Sequence, residues 1–162
     1  MSIMKVLKNE RGLSLVELLA ALAITVVIGL IAYGILFNGF KTYERVRIEA
    51  DLRDEADLIM AELLSDLFVL KTSETVQPSS IPSSIKYIKL TDGGKLGFDD
   101  GRVHLKDGSE YTIQNDSIKI NDDTQIIVKE QGQYEIILSL EWTETNQTLT
   151  TTSEIGIITD NE

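Results

Sequence analysis

The spacing of apolar residues changes twice along this 162-residue chain, and each change predicts a different element. From Leu18 to Phe40, 23 residues run without a charge. At about 1.5 Å per residue they make about 34 Å of helix, enough to cross roughly 30 Å of hydrocarbon. Beyond Lys41 the pattern becomes one-sided. Ile48, Leu52, Ala56, Ile59, Leu63, Leu67 and Leu70 recur every third or fourth residue within an arc of about 100°, while Asp51, Asp54, Glu62 and Ser65 lie opposite. This predicts a helix that continues to about Lys71 with one side packed. The arc is wider than a coiled-coil seam, so the receiving surface is expected within the same chain.

After the helix the period shortens to two. Gln77-Pro78-Ser79-Ser80-Ile81-Pro82-Ser83-Ser84 is a loop by composition. Strands are predicted at Ile85 to Leu90, Val103 to Lys106, Glu110 to Ile113, Ser117 to Ile120, Thr124 to Glu130, Gln133 to Trp142 and Thr148 to Ile158. Asp107-Gly108 and Asn115-Asp116 have the chemistry of two-residue hairpin turns. In the clearest strand Tyr134, Ile136, Leu138, Leu140 and Trp142 share one face, and Leu149, Thr151, Ser153, Ile155 and Ile157 alternate in the same way across the polar loop from Thr143 to Gln147. These two strands are expected to pair. The fold class is therefore α+β: a long N-terminal helix, membrane-spanning in its first half and amphipathic in its second, packed on a C-terminal antiparallel β-sheet head. By residue, the span is 13–40, the stalk 41–71, a linker 72–84 and the head 85–162.

Composition narrows the function. The formal charge is −11, and from Thr72 onward there are 7 Lys/Arg against 16 Asp/Glu. A surface of that sign is a poor ligand for a phosphate backbone, so direct nucleic-acid binding by the head is not expected. Cysteine is absent, which excludes disulfides, thiol catalysis and Cys-based metal sites. His104 is the only histidine, and no nucleophile elbow, phosphate-binding Gly loop or paired-His motif occurs. No enzymatic activity and no catalytic residue is expected. No cofactor is expected either; Asp92, Asp99, Asp100, Asp122 and Asp123 mark the turns where a Ca²⁺ ion would find oxygen ligands, but their spacing is not that of an EF-hand and Asp bends turns on its own account.

A membrane-length helix with one acid near its start demands a reason for that acid, which is Glu17. Ahead of the span lie Lys5, Lys8 and Arg11, then Gly12, then Leu13-Ser14-Leu15-Val16-Glu17. Here the chain resembles a type IV prepilin, whose leader ends in Gly and whose mature chain opens Phe/Met/Leu-Thr/Ser-Leu-Ile/Val-Glu. The resemblance is tight from residue 8 to about 40 and architectural beyond. A secretory signal fits less well, because its small residue follows the apolar core, whereas Gly12 precedes it. The resemblance implies that a prepilin peptidase removes residues 1–12 by cutting between Gly12 and Leu13 and methylates the Leu13 amine. It also implies that the Glu17 carboxylate pairs with the Leu13 amine of a neighbouring subunit. Loss of the leader takes the formal charge from −11 to −13.

Glu17, Ala21, Thr25 and Gly29 lie four residues apart on nearly one side of the helix. Small residues there allow a second helix to approach closely, although Ala and Gly are also common in any membrane helix. Partners implied by the resemblance are the peptidase/methyltransferase, other pilin subunits, the pilus assembly platform and the inner or cytoplasmic membrane. The implied location is a single-pass membrane protein with its N-terminus cytoplasmic and its head outside, passing later into an extracellular filament or pseudopilus. The function implied is a structural, minor subunit of a type IV pilus or of a competence or type II secretion pseudopilus. Two alternatives stand beside it: a tip module presenting its head to DNA, a surface or secreted cargo, and a plain signal-anchored extracellular domain.

Overall fold

The structure, a computed structural model, describes residues 14–160. It divides into two units, Met1–Glu44 and Arg45–Glu162. Helix α1 spans Leu15–Phe68, and its first stretch, up to Glu44, is the described part of the first unit. Its large apolar side chains from Leu15 to Phe40 are 48% to 76% exposed, and this stretch is long and apolar enough to cross a membrane.

In the second unit α1 turns one side inward. Ile48, Leu52, Ala56, Ile59, Leu63 and Leu67 are buried, which is the arc read from the sequence. The helix stops at Phe68 rather than near Lys71, because Lys71 is extended and bridges Ile158 in parallel, with the Ile158 N–H donating to the Leu70 carbonyl at 3.0 Å. Sheet-type bonding to the end of the chain wins over another helical turn.

The strands are β1 (Thr75–Val76), β2 (Ser83–Ile85), β3 (Tyr87–Leu90), β4 (Lys95–Asp99), β5 (Arg102–His104), β6 (Glu110–Tyr111), β7 (Ile118–Ile120), β8 (Gln125–Glu130), β9 (Gln133–Trp142) and β10 (Gln147–Gly156). They form two antiparallel sheets, where one was expected. One runs β1-β3-β4-β5-β6; the other runs β10-β9-β8-β2, with β7 also on β9. The helical arc, Ile88, Leu96, Phe98 and Val103 of the first sheet, and Ile126, Val128, Ile136, Leu138 and Leu140 of the second share one core.

Several expectations are corrected. Residues 72–84, read as a linker, hold a 3-10 turn at Thr72–Glu74, β1 and most of β2. The strand expected from Ile85 to Leu90 is two strands in different sheets, because the chain crosses from one to the other at Lys86. The Lys86 carbonyl accepts from the Phe98 N–H at 2.8 Å, which ties that crossing to β4. Strand β4 itself was not expected. The Asp107-Gly108 hairpin closes over three residues, with the Leu105 N–H on the Ser109 carbonyl. Asn115-Asp116 joins two sheets and makes no hairpin. The Asp-Gly pair that does form a two-residue loop is Asp100-Gly101, where φ is 51° and 71°, the left-handed region such a turn requires. The pairing of β9 with β10 runs as read, ten residues from Gln133↔Gly156 to Trp142↔Gln147.

Candidate functional site

The start of α1 is built by a reciprocal cap. The Ser14 carbonyl accepts the first helical bond from the Leu18 N–H at 3.1 Å. The Glu17 N–H donates to the Ser14 hydroxyl oxygen at 3.2 Å, and a Glu17 carboxylate oxygen accepts from the Ser14 N–H at 3.0 Å and from its hydroxyl at 3.2 Å. Free N–H groups at a helix start need such partners, and a carboxylate there also lies favourably in the helix field. This use of Glu17 was missed in the sequence, where Ser14-x-x-Glu17 ahead of an apolar run is its signal. Gly12 and Leu13 lie outside the described residues.

Glu17, Ala21, Thr25 and Gly29 follow one another along α1. The Thr25 hydroxyl donates to the Ala21 carbonyl at 2.8 Å, so its polarity is spent on its own helix. A Cβ added at Gly29, Gly34 or Gly39 would meet nothing within 4 Å, so no contact within the described chain requires these glycines. Toward the other end, Tyr33 and Phe37 stack with ring centroids 6.1 Å apart, and the Lys41 ammonium lies 4.6 Å from the Phe37 centroid. Aromatic rings ending in a lysine are what the border between hydrocarbon and water selects.

The acidic turns of the head are engaged locally. Asp92 accepts from the Gly94 N–H at 2.8 Å, and Asp99 from Lys95 at 2.5 Å. Asp99, Asp100 and Asp122, distant in sequence, line one depression of about 180 Å³. The Lys86 ammonium donates there to the Asp122 and Thr124 carbonyls at 2.6 and 2.7 Å. The Asp123 N–H donates to the Asn121 side chain at 3.0 Å. Among the described residues no three His, Cys, Asp or Glu groups gather for a metal ion. His104, half-buried in β5, stands 3.8 Å from Glu110.

Sequence reasoning also missed Glu55, a buried acid on the inner side of α1. Its two carboxylate oxygens accept from the Gln114 N–H at 3.2 and 3.3 Å. About three helical turns further along the same element, Asp66 accepts from the Lys106 N–H at 2.7 Å. Burial pushes the Tyr111 phenol up to about 12, with Glu55 as the next cause and Glu62 adding to it. These acids serve to hold the segment after β5 to the helix.

Residues 7–33 match the Prokaryotic N-terminal methylation motif, the type IV prepilin and pseudopilin signature. Neither a curated protein nor a solved structure matches the chain.

Proposed function

We propose that this chain, which carries the type IV prepilin and pseudopilin signature, is a minor structural subunit of a pilus or pseudopilus. It would be cut between Gly12 and Leu13, methylated on the Leu13 amine, and assembled through α1. The motif carries this reading, because it runs directly into a helix whose apolar surface is satisfied only by lipid or by other helices. In the membrane the N-terminus would face the cytoplasm and the head the outside.

Glu17 would then have two successive uses. In the single chain its carboxylate caps its own helix. On assembly, the ammonium of a neighbour's Leu13 would offer it a full opposite charge in a medium where an unpaired carboxylate is costly, so a subunit in the wrong register is rejected. The ridge Ala21, Thr25 and Gly29 would let that neighbour come close.

Substitution separates the two uses. Glu17→Gln keeps an acceptor for the cap and removes the charge; Ser14→Ala removes the hydroxyl's part of the cap, worth about 0.5–2 kcal/mol, and keeps the charge. Incorporation into sheared filaments is expected to be lost in Glu17→Gln and largely kept in Ser14→Ala. Normal incorporation of Glu17→Gln would rule out the charge pairing. The minor place is checked by the subunit's low abundance in the same filaments.

A further inference from the structure

The head is acidic, and its cations are nearly all engaged. Of the seven Lys/Arg from Thr72 onward, Lys95, Arg102, Lys106, Lys119 and Lys129 pair with carboxylates, and the Lys86 ammonium donates to two carbonyls. The seventh, Lys89 on β3, has no hydrogen-bond or ion-pair partner among the described residues. Its place makes that costly. The ladder sets Val76, Lys89 and Lys95 in one row across β1, β3 and β4, so two ammonium-bearing side chains stand directly opposite each other. Lys95 lies over the Tyr87 ring, 4.6 Å from its centroid, and reaches Asp99 at 2.5 Å. Lys89 is left exposed, with a like charge beside it and no acid in reach.

Lys89 borders a depression of about 360 Å³ whose apolar walls are Val76, Pro78, Ile85 and Tyr87, with Gln77 among them. That volume is within the range of sites that hold small ligands or single anchoring residues. The polar groups of its wall are unmatched. The Thr91 N–H donates to the Glu74 carbonyl at 2.9 Å, so in the antiparallel ladder Val76 is the residue bonded to Lys89, and Gln77 turns its main-chain N–H and carbonyl away from β3. Among the described residues no backbone bond reaches either group. The Gln77 side-chain amide donates to the Thr75 hydroxyl at 2.8 Å, but its oxygen is buried without a donor, and such orphans are few in folded proteins.

We propose that this depression receives the carboxyl terminus of a partner polypeptide whose last residue is apolar. Three features of the site call for three features of that ligand. The apolar walls take a side chain, the free N–H and carbonyl of Gln77 match a peptide group, and the Lys89 ammonium takes a carboxylate. A terminal residue carries all three within a few bonds of one another. A fatty acid or a phosphate would leave the Gln77 groups unmatched, and an internal apolar residue would leave Lys89 unpaired. The bound carboxylate also relieves the opposition of Lys89 and Lys95. The site lies wholly within the head, so it is independent of leader cleavage and of how α1 is packed.

The test uses the full chain in phosphatidylcholine nanodiscs and a fluorescein-labelled peptide, Gly-Ser-Gly-Ser-Val-Leu, made once with a free terminal carboxylate and once as the amide. Anisotropy is read against empty discs. The free acid is expected to bind about fivefold more tightly than the amide. That preference should vanish in Lys89→Gln and survive in Lys89→Arg. Val76→Asp, which gives Lys89 a carboxylate of its own across the strand pair, should remove it as well. Val76 and Lys89 are exposed, so an unchanged melting temperature is expected in all three variants. No binding at millimolar peptide, equal binding of acid and amide, or a preference that persists in Lys89→Gln would overturn the proposal. Octanoate displacing the labelled peptide at a lower concentration than the unlabelled peptide does would overturn it too, by showing a site for a small amphiphile.

Discussion

Glu55 and Gly97 show what single residues contribute that patterning hides. An acid in an amphipathic helix is ordinarily read as solvated, yet Glu55 lies three residues after Leu52 and four before Ile59, on the apolar arc. Its position therefore gave the signal that its chemistry masked. Glu55→Ala is expected to lower stability by about 1–3 kcal/mol, because the Gln114 N–H is left without a partner, and Glu55→Gln by clearly less. Urea denaturation of the full chain in micelles reads both. Gly97 has φ +127°, and a Cβ there would come within 2.7 Å of Ile126 Cδ1 and 3.0 Å of the Lys86 carbonyl. There β4 lies directly against Ile126 of the second sheet. Gly97→Ala should cost about 1–3 kcal/mol in the same measurement, with an unchanged leader.

At the scale of elements, the longest were legible and the shortest were not. The span, the amphipathic arc and the β9–β10 pair each carry many residues of one period, so the pattern outweighs local exceptions. Strand β4 was hidden because Gly93, Gly94 and Gly97 make its surroundings read as turn, and the crossing at Lys86 has no signal in an unbroken β-rich run. The junction between the end of α1 and the end of the chain is likewise non-local. There Glu74 accepts from the Lys71 N–H at 2.9 Å and from the Lys106 ammonium at 3.0 Å, and Asp160 accepts from the Ser73 N–H at 2.8 Å. The bond from Lys71, then Lys106, holds the Glu74 carboxyl below its ordinary 4.5, and Ser73 holds Asp160 below its ordinary 3.8. Lowered folded values mean that the stabilisation is present above the unfolded values and is lost as pH falls through the folded ones. Melting temperature is therefore expected to drop as pH is taken from 5 to below about 4. Glu74→Gln with Asp160→Asn should flatten that drop, and an unchanged slope would remove these two groups as its cause.

For the whole molecule, sequence and structure agree on a helix followed by an antiparallel β head, and the motif over residues 7–33 supports a type IV pilin-like or pseudopilin subunit. The second sheet was not legible, because which strands share a sheet depends on pairing between distant residues. The cap at Ser14 and Glu17 was written in four consecutive residues and went unread beside the membrane pattern. On the proposed function, the molecule's fate would turn on the peptide bond between Gly12 and Leu13 and on the amine that its cleavage would expose. The most direct test is the intact mass of the chain from cells that contain an active prepilin peptidase and from cells that lack one. A chain beginning at methylated Leu13 in the first and at the original N-terminus in the second is the expected result. A chain that keeps residues 1–12 in both contradicts it.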